Sequence, residues 1–384
     1  MDLSYILNHL GENRDEYFGA VAPPVIQSSN FYFKTVEQMR NAFVNEQSTS
    51  IYTRGNNPTI AMTAQKIAAM EGAEDALLLA SGSAAIAMAV LSQVKAGDHI
   101  VCVNHPYSWT HKLLTQFLPR FNISATFIDG RDVDNFKKAT HPNTTLYYLE
   151  SPNTMYFELQ DLPAVTSLAK QNNIKTIIDN SYCTMLVQQP IKLGVDIVVY
   201  SATKYLNGHS DVVAGVICSN SETIKKIFHN EFMTLGAIIS PWNAWLLMRG
   251  LRTLPLRINH ISNSVVKIIN YLKQHPAVEK IYWPFDESNS QLTLAKKQMS
   301  KPLGLFSILL KTKETKQIQA FCESLKYFLM AVSWGGHESL IIPAIAFHPP
   351  HDYPLNFVRF YIGLEETDVL ISDLKDALTC IQTD

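Results

Sequence analysis

Lys204 stands in the string Tyr200-Ser201-Ala202-Thr203-Lys204-Tyr205-Leu206-Asn207-Gly208-His209-Ser210-Asp211, directly behind the apolar run Ile197-Val198-Val199. An amine delivered by a strand end, among hydroxyls and a glycine, is placed to trap a carbonyl carbon as an imine. Asp179 closes another apolar run, Thr176-Ile177-Ile178. In parallel α/β sheets the groups that meet a ligand gather at the carboxyl ends of the strands, so this amine and this carboxylate can face one ligand. Taken singly each has a plainer reading, a surface lysine in a polar loop and an aspartate serving as turn or cap.

Anion chemistry comes from two further strings. The run Leu77-Leu78-Leu79-Ala80 breaks at Ser81-Gly82-Ser83 into a helical pattern from Ala84 to Val94. Free N–H groups at such a helix start point at an anion, and Gly82 lets a phosphate come close to the backbone. Ser201 and Thr203 alternate on an extended segment, which puts both hydroxyls on one side, where they can complete a phosphate cup. In Ile51-Tyr52-Thr53-Arg54-Gly55-Asn56-Asn57-Pro58-Thr59 the same alternation pairs Tyr52 with Arg54, a phenol and a guanidinium suited to a phosphate dianion. Without a ligand these are a turn, strand-end hydroxyls and a surface arginine beside a tyrosine. One ligand uses them together: pyridoxal phosphate needs a lysine for its aldehyde and a carboxylate to keep its ring nitrogen protonated.

The elements that must position these groups are legible as patterns. Residues 1 to about 50 read as an irregular arm, with Pro23-Pro24 and a weak helical pattern near Val36 to Phe43. A helix over 58–72 follows, with Asn57 as cap, Pro58 in its first turn and Gly72 as its stop. Apolar runs near 76–80, 99–103, 123–128, 145–149, 174–178, 196–200 and 212–218 alternate with helical stretches. That alternation predicts an α/β fold with a mostly parallel sheet covered on both faces. Helices near 240–250 and 257–274 lead into a smaller C-terminal α/β domain containing a strand at Gly304 to Leu310, a helix near 314–326, the segment Phe357 to Ile362 and a last helix from Thr367. The expected division is an arm over 1–50, a ligand-binding domain over 51–245 and a C-terminal domain over 246–384.

Composition narrows the classes of partner. A chain of 384 residues with 47% hydrophobic content can bury a large core. A formal charge of −2 gives no reason to expect nucleic acid or an acidic membrane as partner. Cys102, Cys183, Cys218, Cys322 and Cys380 lack metal-ligand spacing, so no metal is expected, and they suit thiols in a reducing cytoplasm. Met1-Asp2-Leu3-Ser4-Tyr5 lacks the basic start of a signal peptide, and no run is long enough to cross a bilayer.

The strings YTRGNNPT, SGSAAI, ESPNT, IDNSY, SATKYLNGHSD, RGLRTL, SWGGHESL and VRFYIGLE occur in this order from about Tyr52 to the C-terminal helix. In this the chain resembles the Cys/Met-metabolism group of pyridoxal-phosphate enzymes, whose members include cystathionine β-lyase, cystathionine γ-synthase, the γ-lyases of cystathionine and methionine, and the O-acyl-homoserine sulfhydrylases. The resemblance implies the fold-type I architecture and a homotetramer built as a dimer of dimers, with the N-terminal arm contacting a neighbouring subunit. It implies that Lys204 binds the cofactor aldehyde and moves the substrate Cα proton, that Asp179 pairs with the ring nitrogen, and that Tyr107, in Asn104-His105-Pro106-Tyr107-Ser108, stacks on the ring. Phosphate contacts fall to Gly82, Ser83, Ser201 and Thr203, and to Tyr52 and Arg54 from a neighbour. Arg359 corresponds to the clamp on the substrate carboxylate, helped by Ser333. Where many members have Ser-Asn-Pro after Glu-Ser-Pro, this chain reads Asn153-Thr154-Met155, which displaces the substrate-contacting asparagine by one place.

Within the family, Trp334 resembles the Ser-Trp-Gly-Gly of bacterial cystathionine β-lyases. Val332 stands where the cystathionine γ-enzymes tend to carry glutamate, although methionine γ-lyases can have valine there. Tyr52 to Pro58 is closer to γ-type members. The leading expectation is β-elimination of cystathionine or a related cysteine thioether to pyruvate, ammonia and a thiol. Its alternatives are γ-elimination or γ-replacement and, from another class, a non-catalytic regulator or scaffold.

Overall fold

The computed structural model describes residues 1–348 and 353–382. A seven-stranded sheet comprises β1 (Asp75–Leu79), β2 (His99–Val103), β3 (Ser124–Ile128), β4 (Thr144–Glu150), β5 (Lys175–Asp179), β6 (Ile197–Ser201) and β7 (Gly215–Ser219), in the order β1-β7-β6-β5-β4-β2-β3. Strands β3, β2, β4, β5 and β6 run parallel, and the antiparallel pairings are β6 with β7 and β7 with β1. The central strands read as unbroken apolar runs because both faces are covered. Val101, Tyr147, Ile178 and Val198 pack into one buried layer, while Ile100, Tyr148, Ile177 and Val199 pack into the other. Register then decides the site: Glu150 lies beside Asp179, and Asp179 beside Val199, two residues before the end of β6.

The helix Pro58–Glu71 has the expected signals. Asn57 accepts the Thr59 N–H at 3.0 Å, and Gly72 ends the helix at φ 77°. Glu71, in its last turn, is buried and accepts the Tyr200 hydroxyl of β6, which in turn accepts Asn180 Nδ2 at 3.0 Å. Burial pushes the Glu71 carboxyl up to about 8.

Two expectations are corrected. The stretches near 240–250 and 257–274 form one helix, Pro241–Gln274, with Pro255 inside it. An interior proline costs about 3 kcal/mol by removing a hydrogen bond and crowding the preceding turn. Here the apolar face Leu247, Leu251, Leu254, Ile258, Ile261 and Val265 is buried on both sides of the proline, so packing overrides the break. Arg257 and Thr253 donate to the neighbouring Gly250 carbonyl at 2.8 and 3.2 Å, while the carbonyl that loses its helical donor to Pro255 is that of Leu251.

The first dozen residues, read as irregular, instead begin with a helix, Leu3–Asn8, capped by Asp2 and fastened to its own chain. Ile6, Leu7 and Leu10 are buried, and Lys66 Nζ donates to the carbonyls of Ile6 and Leu7 at 3.0 and 3.2 Å. The buried Glu12 carboxylate pairs with Lys66 at 3.0 Å, Arg252 at 2.9 Å and Arg14 at 2.8 Å. Beyond this knot the helix Val36–Val44 is largely exposed, with Ala42 its buried residue.

A second sheet comprises β8 (Val278–Tyr282), β9 (Leu305–Leu310), β10 (Leu329–Met330), β11 (Leu340–Pro343) and β12 (Phe357–Tyr361), in the order β10-β11-β12-β9-β8. Its core joins Phe306, Ile308 and Phe360 to the end of the long helix and to the helix Thr367–Leu378. No helix of the described residues is long and apolar enough to cross a membrane.

Candidate active site

Beyond β6 the chain turns at once: Lys204 N–H donates to Ser201 C=O at 3.1 Å and Gly208 N–H to Lys204 C=O at 2.9 Å. The turn is pressed onto the long helix. A Cβ on Gly250 would lie 2.3 Å from the Asn207 carbonyl oxygen, so only glycine permits this approach. From the same helix Arg257 donates to the Tyr205 carbonyl at 2.8 Å. Nothing in the periodicity of the sequence announces this clamp.

On its other side Lys204 meets the loop between β10 and β11. Its Nζ donates to Ser333 Oγ at 2.5 Å and sits 5.7 Å from the centre of the Trp334 ring. Trp334 is itself buried edge-on against Tyr205, with ring centres 5.5 Å apart. A Cβ on Gly335 would come within 2.9 Å of Lys204 Cα, and Ser333 occupies left-handed backbone at φ 82°, a costly conformation for a non-glycine residue. The Ser333 carbonyl accepts from Arg359 Nη2 at 3.2 Å, and Nη1 of the same guanidinium lies 3.7 Å from Met155 Sδ. Burial lowers the Lys204 amine to about 8, helped by the Arg359 charge and opposed by Asp179. Such an amine is mostly protonated near neutrality but keeps roughly a tenth of its population as free base, which can take a proton. Arg359 is lowered to about 10 by burial and stays charged.

Asp179 is buried at the end of β5 and accepts the Ser181 N–H at 2.9 Å. Burial raises its pKa, while bonds from Ser181 and the charge of Lys204 pull the other way. Ser181 Oγ accepts the Ser201 N–H at 2.6 Å, which ties the ends of β5 and β6 together. Beside Asp179, Glu150 Oε2 accepts the Tyr107 N–H at 2.7 Å. Tyr107 immediately precedes a short helix, Ser108–Lys112, and its side chain is exposed.

The helix Gly82–Leu91 starts against this cluster. Ser81 caps the Ala84 N–H at 3.1 Å, leaving Gly82 and Ser83 at the open end of the first turn. A Cβ on Gly82 would sit 2.9 Å from Ser201 Oγ, and one on Gly215 would sit 2.0 Å from the Ser81 carbonyl oxygen. These glycines let the helix start pack directly on β6 and β7, which sets its free N–H groups beside the Ser201 hydroxyl. Such a donor set suits a phosphate, and with the buried Asp179 carboxylate and the Lys204 amine the chemistry of the group fits pyridoxal phosphate. The Thr203 hydroxyl is engaged by Ala214, accepting its N–H at 3.0 Å and donating to its carbonyl at 3.3 Å.

Three of the sequence candidates stand apart from this cluster. Tyr52 and Arg54 are exposed and lie together, guanidinium 5.7 Å from ring centre. Among the described residues no hydrogen bond or ring contact joins them to Lys204, Asp179 or Ser201. Asn153 is buried with its side chain committed to its own loop: Nδ2 donates to Glu158 at 3.0 Å, and Oδ1 accepts the N–H groups of Tyr156 and Phe157 at 3.2 and 2.8 Å. Met155, from that loop, takes the place beside Arg359. Sequence reasoning passed over Glu150, Ser181 and Met155; a carboxylate ending the apolar run Leu146-Tyr147-Tyr148-Leu149 was a signal for the first.

The sequence matches the family described as Cys/Met metabolism PLP-dependent enzyme over residues 5–379. It is 38% identical over 382 residues to the L-methionine gamma-lyase of Treponema denticola, covering 96% of this chain and 95% of that protein. To the cystathionine beta-lyase of Lactococcus lactis subsp. cremoris it is 35% identical over 379 residues, covering 96% and 97%. The fold superposes on cystathionine gamma-lyase from Lactobacillus plantarum, solved with L-serine, with a TM-score of 0.92 at 35% identity over 100% of both chains. The chain belongs to the Cys/Met metabolism family of pyridoxal-phosphate enzymes and is a carbon–sulfur lyase-family enzyme of sulfur amino-acid metabolism.

Proposed function

We propose that the enzyme cleaves the carbon–sulfur bond of a thioether amino acid, releasing a thiol, ammonia and a 2-oxo acid. The observation that carries this reading is the surroundings of Arg359. Its guanidinium is held between the Ser333 carbonyl and the Met155 sulfur, so the site offers one fixed cation for one carboxylate and an apolar neighbour for the rest. γ-Elimination of methionine to 2-oxobutyrate is the first reading, supported by the L-methionine gamma-lyase relative and by the apolar Val332 next to Ser333. β-Elimination to pyruvate is the second, supported by Trp334 packed beside the Lys204 amine.

In this reading Gly82, Ser83 and Ser201 would hold the phosphate, joined by Thr203 on turning its hydroxyl from the Ala214 carbonyl, while Asp179 would pair with the ring nitrogen and Lys204 would bind the aldehyde. Pyridoxal phosphate, when bound, supplies an electron-withdrawing ring that accepts the electrons of the broken Cα–H bond. Lys204, as a free amine, takes the proton from Cα, and Ser333 Oγ steadies that amine. Arg359 forks onto the substrate carboxylate and fixes which Cα bond faces Lys204. Tyr107, exposed in this chain, would cover the ring and pass a proton toward the leaving sulfur. Tyr52 and Arg54 serve the phosphate of a neighbouring subunit in a homotetramer, which accounts for their exposure here.

Product analysis tests the proposal. The purified enzyme supplied with pyridoxal phosphate should give 2-oxobutyrate and methanethiol from L-methionine, or pyruvate from cystathionine or S-methylcysteine under the second reading. Failure to form a 2-oxo acid from all three refutes both.

A further inference from the structure

Parallel strands in register point paired side chains to the same face, and β4 and β5 pair Glu150 with Asp179 at their carboxyl ends. Both residues are buried, Glu150 at 3% exposure and Asp179 at 7%. Two carboxyls so placed, away from water, do not both ionise. Their partners decide which one holds the charge. Asp179 receives Ser181 N–H and lies near the Lys204 ammonium. Glu150 receives the N–H groups of Tyr107 and Thr154, but its Oε1 is buried with no hydrogen-bond partner among the described residues. A charged oxygen buried without a donor is costly, whereas the same atom as the hydroxyl of a neutral acid costs much less.

We propose that Glu150 is a positioning residue that stays a neutral carboxylic acid, leaving the negative charge of the pair on Asp179, and that it holds Tyr107 in place through the Tyr107 N–H. The groups facing Glu150 agree with this. Besides Asp179 they are Cys102 from β2, Tyr148 of its own strand and the backbone of Tyr107 and Thr154, with Lys204 beyond Asp179. None of those that touch it is a cation. The proton on Glu150 spares Asp179 a like-charged neighbour, so Asp179 can pair with a protonated ring nitrogen. Through the backbone of Tyr107, the same carboxyl fixes the ring at the mouth of the site. The inference rests on the cofactor site and is independent of which sulfur amino acid is cleaved.

Infrared difference spectroscopy of the full-length holoenzyme at neutral pH tests it directly. Subtracting Glu150→Gln from wild type should reveal the C=O band of a neutral carboxylic acid, distinct from a second such band removed by Glu71→Gln. A difference containing carboxylate bands alone overturns the proposal. Cofactor affinity, followed by the visible absorbance of the bound cofactor, supplies the other readout. Glu150→Ala should weaken binding at least about tenfold, the size of one lost buried hydrogen bond, and Glu150→Gln should restore most of it. If folded Glu150→Gln binds as poorly as Glu150→Ala, a charged Glu150 is required and the assignment fails. Should Glu150→Ala not fold, the infrared comparison with the isosteric amide decides alone.

Discussion

Replacing Glu71 by glutamine changes one atom of a buried carboxyl and removes its ability to ionise. The side chain is 0% exposed and accepts the Tyr200 hydroxyl, a role that the amide oxygen can keep. In the unfolded chain this group titrates near 4.5, whereas burial holds it up to about 8 in the folded protein. Between those values the folded state retains a proton that the unfolded state has lost, so rising pH favours unfolding. The slope contributed by this residue is about 1.4 kcal/mol per pH unit, and over the whole interval it amounts to roughly 5 kcal/mol. Wild type should therefore lose stability steadily from about pH 5 to about pH 8, with this residue's contribution level above that. Glu71→Gln should remove that part of the slope and be the more stable protein at alkaline pH. Urea unfolding at fixed protein concentration, followed by far-UV circular dichroism at a series of pH values, reads both curves. Parallel curves for the two proteins would mean that Glu71 is already ionised when folded, and the reasoning from burial would be wrong.

Other expectations concern the site. Lys204→Ala should abolish turnover and the visible absorbance of covalently held cofactor while leaving the far-UV spectrum intact; an unchanged visible spectrum refutes the assignment of the amine. Gly250→Ala must displace the Asn207 carbonyl, at a cost of about 1–3 kcal/mol from overpacking, and should lower the denaturation midpoint and the turnover together. Arg359→Lys loses the bidentate fork and should raise KM for the amino acid at least about tenfold, with cofactor binding measured by absorbance little changed. Arg54→Ala should weaken cofactor binding, and mixing it with Lys204→Ala should restore part of the activity; full activity in a demonstrated monomer would end the shared-site proposal.

The sheet was legible because its strands are buried on both faces and so read as plain apolar runs between helical stretches. Helix Pro58–Glu71 was legible to its ends, since cap, proline and glycine all act locally. The long helix was not: Pro255 is a local break signal, and the packing that overrides it involves residues distant in sequence. Likewise the Glu12 knot depends on Lys66 and Arg252, and no window of sequence around Glu12 contains either. At the candidate site, strand-end chemistry pointed to Lys204 and Asp179 and a helix start to Gly82. Glu150 and Ser181 escaped because their importance lies in strand register, which a single sequence does not display.

Ser333 holds Lys204 with its hydroxyl and Arg359 with its carbonyl, from a strained backbone angle. The candidate base and the candidate carboxylate clamp thus share a single anchor residue. A substitution at this one position therefore disturbs the amine and the guanidinium together.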